Sequence, residues 1–260
     1  MKPKKISAQS HLVDVLKVAT SDHQAKKEAG DEYIYRKQQQ QHEQKQLLAD
    51  YVVERYVKDL DAVAIDAGST QQLIVEKMMD TRNFLSILTN NMTAFMRNSK
   101  HRIDKSANEF ILTGGKYVAL FDALLGNETA TSFNLFHPTV VIIGVSGLVP
   151  EKGFFCHGND EVNIKKLLFQ KKDSTILIPA DYSKLGRSDS YLFGETKEFR
   201  NRDATTCVVV TAPPPPPSPE VGADSQEASA YQEAKRQYEK HKLKLEEEKI
   251  IVVEAKHKQR

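Results

Sequence analysis

Cysteine, long apolar runs and charge of one sign are all scarce in this 260-residue chain. Two cysteines, Cys156 and Cys207, are too few for a disulfide framework or a multi-cysteine zinc site, and a reducing cytoplasm is the simplest home for them. No window reaches the roughly 18 to 20 uninterrupted apolar residues of a membrane-spanning helix, so no membrane partner is expected. The basic start, Lys2 to Lys5, is not followed by an apolar stretch, and a secretory signal is not expected either. Lysine and arginine number 37 against 35 aspartates and glutamates, a net charge of +2. That balance argues against wholesale polyanion binding and leaves only local basic patches open. No internal repeat is visible. What remains is a chain with 40% hydrophobic residues, enough to bury the core of one large domain or two small ones.

Composition divides the chain into four parts. Residues 1–42 are polar and helix-prone, with a glutamine run at Gln38 to Gln41. Within them His11 to Thr20 places Leu12, Val15, Leu16 and Ala19 on one helical face. A lead-in helix from about Gln38 to Leu60 turns apolar through Leu47, Leu48, Tyr51, Val52, Tyr56 and Val57, and that half is expected to pack on the domain that follows. Residues 43–212 form that domain. Residues 213–224 begin with five consecutive prolines, Pro213 to Pro217, which cannot donate ladder hydrogen bonds and favour a stiff, extended linker. Residues 225–260 read as a charged helix whose seven-residue stripe is Tyr231, Tyr238, Leu245 and Val252. Its companion positions, Ala234, His241, Glu248 and Ala255, suit a coiled-coil seam poorly. Docking on a surface, marginal self-association or contact with a protein partner remain open for it, and Ile250 to Val253 reads equally as a short strand.

The central domain alternates short Val-, Ile- and Leu-rich runs with helical periodicity. The runs are Ala62–Ile65, Phe84–Leu88, Glu109–Leu112, Thr139–Ile143, Thr175–Ile178 and Thr206–Val210. Continuous hydrophobicity without alternation marks strands buried on both faces. The intervening patterns over Gln71–Asp80 and Glu161–Gln170 supply crossover helices. The fold class predicted is therefore α/β, a mostly parallel sheet with helices on both faces and helical extensions at either end. Right-handed crossovers then put the strand carboxyl ends on one rim.

Five of those ends carry polar loops: Asp66-Ala67-Gly68-Ser69-Thr70, Thr89-Asn90-Asn91, Thr113-Gly114-Gly115-Lys116, Gly144-Val145-Ser146-Gly147 and Pro179-Ala180-Asp181-Tyr182-Ser183-Lys184. Ligands of open α/β sheets bind outside such ends. At the first loop Gly68 permits close backbone approach, and Ser69 and Thr70 open a helix whose N–H groups and dipole favour an anion. Their hydroxyls either cap that helix or bind a phosphate, and the sequence leaves both open. Lys165 and Lys184 are candidate positive charges for the same rim, or plain solvated lysines. Asp66, Glu161 and Asp181 are candidate acceptors for sugar hydroxyls. The Gly144 loop is not a Gly-x-Ser-x-Gly nucleophile elbow, and Gly114-Gly115-Lys116 lacks the earlier glycine of a P-loop. His137 and His157 are isolated, Cys156 and Cys207 look packed and inert, and no catalytic residue, cofactor or metal site is assigned.

The same loops, taken in order with Gly126, Glu161, Lys165 and Leu185-Gly186-Arg187, resemble the C-terminal sensor domain of DeoR-type (GlpR-type) bacterial transcription regulators across roughly residues 43 to 211. Ser69 stands for the family's usual Thr, Asn91 for Ser and Tyr182 for Ser. The resemblance implies a fold shared with ribose-5-phosphate isomerase and coenzyme A transferases, and a phosphorylated sugar or similar metabolite as effector. By that analogy Asp66, Gly68, Ser69 and Thr70 hold the phosphate. Asn90, Gly115, Glu161, Lys165, Asp181 and Lys184 then line the sugar side. The family's winged helix-turn-helix has no room ahead of the lead-in helix, since a recognition helix needs a supporting one. Direct DNA binding is accordingly not expected, and a homo-oligomeric regulatory sensor module is. Two other functions compete with it. One is an enzyme of the sugar-phosphate isomerase type using Asp66, Glu161 or Asp181 as base. The other is a DNA-binding regulator using Lys2, Lys4, Lys5 or the basic C-terminus.

Overall fold

A computed structural model describes residues 41–99, 107–200, 204–218 and 225–256. The expected helix over His11–Thr20, the basic N-terminal cluster and the beginning of the lead-in helix at Gln38 lie outside them.

The lead-in helix, α1 (His42–Tyr56), is followed by β1 (Ala62–Ile65), α2 (Ser69–Thr81), β2 (Ser86–Thr89), α3 (Met92–Ser99) and β3 (Glu109–Leu112). A hairpin of β4 (Lys116–Val118) and β5 (Ala123–Leu125) leads to α4 (Asn127–Leu135) and β6 (Val140–Ile142). Then come β7 (Gly147–Val149), β8 (Gly153–Cys156), α5 (Asn159–Phe169), β9 (Thr175–Asp181), β10 (Tyr191–Glu195) and β11 (Thr206–Ala212). Last are α6 (Gln226–Glu247) and β12 (Ile251–Glu254). Seven strands form one sheet in the order β12-β11-β9-β6-β1-β2-β3, and every neighbouring pair is parallel. β10, β8 and β7 make a small antiparallel sheet, braced by a cluster of Phe154, Phe169, Phe193 and Phe199.

Side chains alternate between two cores, as the pleat requires. Val63, Ile65, Val140, Ile142, Val208 and Val210 face α1 and α2, where Leu48, Val52, Ile74 and Met78 are buried. Ala64, Val141, Ile143, Cys207 and Val209 face the other way, onto Phe133 of α4, Ile164 and Leu168 of α5, and Leu245 of α6. Both faces are covered, which is why the strands read as unbroken apolar runs. The second half of the lead-in helix packs on the domain as its pattern requires.

Several strand boundaries differ from the sequence reading: β6 is one residue shorter at each end and β11 runs on to Ala212. The second strand starts at Ser86 rather than Phe84, because Phe84 sits in the left-handed region at φ 59 with its ring 60% exposed. The fifth runs on past Ile178 through Pro179 to Asp181. A proline is tolerated there because β6 has already ended, so Pro179 pairs only with Val210 on β11. The C-terminal helix stops at Glu247; Lys249 turns the chain at φ 64 and residues 251–254 join the main sheet beside β11.

Candidate functional site

Strand order reverses at β1. Strands β2 and β3 extend the sheet to one side of it, β6, β9, β11 and β12 to the other. The loops leaving β1 and β6 diverge there, and a cleft opens between them, the usual place for a ligand in an open parallel sheet. Gly68, Ser69, Thr70 and Gln71 line one wall of this cleft, Gly144, Val145 and Ser146 the next, and Lys184 borders it from the loop after β9. The tip of the β4–β5 hairpin, Leu120 to Asp122, forms the roof.

Helix α2 begins at this cleft without a side-chain cap. Gly68 occupies the cap position at φ 156, and its carbonyl accepts from Gln72 N–H (3.0 Å) and from Asn91 Nδ2 (3.1 Å). Neither Ser69 nor Thr70 caps the helix, so the first N–H groups and the positive end of the dipole are directed into the cleft.

Beneath the cleft lies a buried ion pair. Lys165 Nζ is 2.5 Å from Asp66 Oδ2, with side chains 5% and 2% exposed. Lys165 also donates to the Gly144 carbonyl (2.9 Å), while Asp66 Oδ1 accepts from Gly144 N–H (2.8 Å). Gly144, just past the end of β6, is thus held through both its N–H and its carbonyl. Burial pushes the Asp66 carboxyl up to about 6, against the opposing pull of Lys165. Burial alone would lower the Lys165 ammonium, but Asp66 and Glu161 outweigh it and hold the charge in place. Glu161 is itself engaged, accepting from Gly158 N–H (3.0 Å) at the start of α5 and lying 3.7 Å from Lys165. Cys156, against the same group, is buried and its thiol is pushed up to about 12, so it is no nucleophile at neutral pH.

Of the residues singled out in the sequence, Gly68, Ser69, Thr70, Glu161, Lys165 and Lys184 meet at this cleft. Asp66 and Asn90 instead border a smaller void behind it, of about 10 Å³. Asn90 Nδ2 is spent on the Leu124 carbonyl of the roof hairpin (2.9 Å). Gly115 and Asp181 line neither space. Gly115, at φ 126, is a packing glycine: an added Cβ would lie 2.7 Å from the Leu125 carbonyl and collide with Thr129 Oγ1. Asp181 accepts from Ser183 N–H (3.0 Å) and fixes the turn that carries Lys184. Sequence reasoning missed Lys45, which reaches the cleft from α1, and Gln71, Asp122 and His157. Asn91, adjacent to the residue that was chosen, is the one that lines it. Asn91 belongs to the Thr89-Asn90-Asn91 loop already singled out, whereas no motif marks Lys45, Gln71, Asp122 or His157, which only the crossing of elements brings together.

Residues 40–201 match the family described as the DeoR C terminal sensor domain. Among curated relatives, the HTH-type transcriptional regulator GlpR of Haloferax volcanii is 28% identical over 170 residues, 65% of this chain and 64% of that protein. The glycerol-3-phosphate regulon repressor of Escherichia coli is 25% identical over 148 residues, 57% of this chain and 56% of the other. The chain thus spans less than two thirds of the length of these relatives. A solved ribose 5-phosphate isomerase from Plasmodium falciparum aligns with a TM-score of 0.36 at 14% identity, over 54% of this chain and 51% of that one.

Proposed function

The chain belongs to the DeoR C-terminal sensor domain family, and from that premise we propose that it is a regulatory module whose effector is a phosphorylated sugar or a related phosphorylated metabolite, bound in the cleft at the β1–β6 switch point. The observation that carries this reading is the uncapped start of α2 opening into that cleft beside Lys184. Backbone N–H groups at a helix start are preorganised anion donors and need no rearrangement when the anion arrives. Elsewhere in the lining, Asn91, Ser146, Asp122 and Glu161 offer polar groups for hydroxyls. As in its relatives by name, the role proposed is in transcription regulation.

Catalysis is not part of this reading. A proton-abstracting carboxylate must reach the substrate, whereas Asp66 is buried against Lys165 and Gly144, and Glu161 is tied to Gly158 and Lys165. Calorimetry and thermal shift against a panel of three- to six-carbon sugar phosphates, with inorganic phosphate and the unphosphorylated sugars alongside, test the proposal. Heat and thermal stabilisation are expected for phosphorylated members and not for the free sugars. Silence across every phosphorylated compound would sink it.

A further inference from the structure

Gln71, the third residue of α2, is 2% exposed and lines the cleft, yet its carboxamide Nε2 has no hydrogen-bond partner. A buried amide left unpaired is among the costlier features of a native structure, and its persistence calls for a partner that arrives from elsewhere.

The surroundings are shaped to hold that carboxamide. It lies between the backbones of Gly68 and Gly144, each at the end of a strand. A Cβ on Gly144 would sit 2.6 Å from Gln71 Nε2, and one on Gly68 would collide with Gln71 Oε1. Gly144 is in turn clamped through its N–H by Asp66 and through its carbonyl by Lys165, two buried charges. The ion pair beneath the cleft therefore fixes one side of the slot in which the carboxamide rests. Two glycines and a buried ion pair around one unsatisfied donor form a built seat, and it adjoins the uncapped N–H groups of α2.

We propose that Gln71 Nε2 donates a hydrogen bond to a non-bridging phosphoryl oxygen of the ligand held at the start of α2, so that Gln71 is a specificity-determining residue for phosphate esters. The inference rests on reading the cleft as a phosphate site. The carboxamide adds a side-chain donor beside Gly144, next to the backbone N–H groups of α2. A ligand without an acceptor there leaves the amide unpaired, and the site discriminates against it.

Two substitutions test this, with inorganic phosphate as the probe. Gln71→Met keeps length and removes the donor. Gln71→Glu keeps shape and places a carboxylate beside the anion. Calorimetry is expected to show phosphate binding weakened about tenfold or more by Gln71→Met, as loss of a hydrogen bond to a charged group predicts, and weakened further by Gln71→Glu. Without phosphate, Gln71→Met is expected to melt no lower than wild type, because an unpaired buried amide has been replaced by an apolar group. A purely packing role would instead lower the melting temperature and leave phosphate affinity unchanged. Wild-type affinity in Gln71→Met overturns the inference while the phosphate site stands. If Gln71→Met does not fold, wild-type affinity in Gln71→Glu overturns it equally. Absence of inorganic phosphate binding by the wild type overturns the inference, whereas the reading beneath it falls only if the phosphorylated sugars are silent as well.

Discussion

At the scale of single residues, the Asp66–Lys165 pair is the feature on which the cleft floor depends. Breaking a buried pair from one side leaves an uncompensated charge, at a cost of about 3–5 kcal/mol. Lys165→Met is therefore expected to lower the unfolding free energy in urea by that order, and Asp66→Asn combined with Lys165→Met to lower it less. The pH dependence follows from the same geometry. The folded Asp66 carboxyl keeps its proton up to about 6 against an ordinary value of 3.8. Its contribution to stability is thus present below 3.8 and lost as the pH rises through about 6. Carbon-detected NMR should show the Asp66 carboxyl titrating near 6, and Lys165→Met should move that midpoint higher, since only the Gly144 N–H then opposes burial. A midpoint in the usual carboxylate range would contradict the burial described. Asp66 and Lys165 were both visible in the sequence as polar residues at a rim. Their mutual pairing was not, because 99 residues separate them and no local pattern records such a partner. Asp66 was read as an acceptor for the ligand and Lys165 as a charge for the rim or a solvated lysine; both hold Gly144, and Lys165 also lines the cleft.

At the scale of elements, strands buried on both faces announce themselves, and β1, β3, β6, β9 and β11 lie within or next to the apolar runs that predicted them. The short antiparallel pieces do not. β4, β5 and β7 have three residues each, too few for any period to show, and so the roof over the cleft went unread. α6 is a mixed case. Its stripe predicted Tyr231, Tyr238, Leu245 and Val252 on one face, but only Tyr238 and Leu245 are buried in the helix, which ends at Glu247. Tyr238 packs on Ala180 and Leu185, flanking the turn that carries Lys184, and donates its hydroxyl to Glu254 (2.9 Å). The His241 ring lies against Gly186, which adopts φ 80. The helix thereby braces the cleft's outer loop from behind. Gly186→Ala is expected to destabilise by about 1–3 kcal/mol through strain at positive φ, with the added Cβ driven into His241. Hydrogen exchange should then accelerate in α6 before it accelerates in α1. Equal protection of both helices in the variant would show that the contact does not brace α6.

At the scale of the whole molecule, the parallel sheet and its two-sided cover were legible, while the membership of its last strand was left open. The charged residues of α6 concealed that the chain returns to the sheet after it. β11 is flanked by β9 on one side and by β12 on the other, the latter aligned from Val208 against Ile251 to Thr211 against Glu254. Deleting residues 213–260 uncovers one side of β11, along with Ala180 and Leu185. Such an edge, rich in valine and without lysine or proline to blunt it, pairs with other chains. The shortened protein is expected to associate with itself in light scattering at concentrations where the full chain does not. Unchanged scattering would mean that β12 and α6 are dispensable cover.

The position of β12 also has a temporal meaning. During synthesis β9 and β11 leave the ribosome before residues 251–254 do, so the nascent sheet has one flank open until α6 and β12 have emerged in turn. Until then β11 is the unpaired edge of the sheet, the position at which another chain's strand could add.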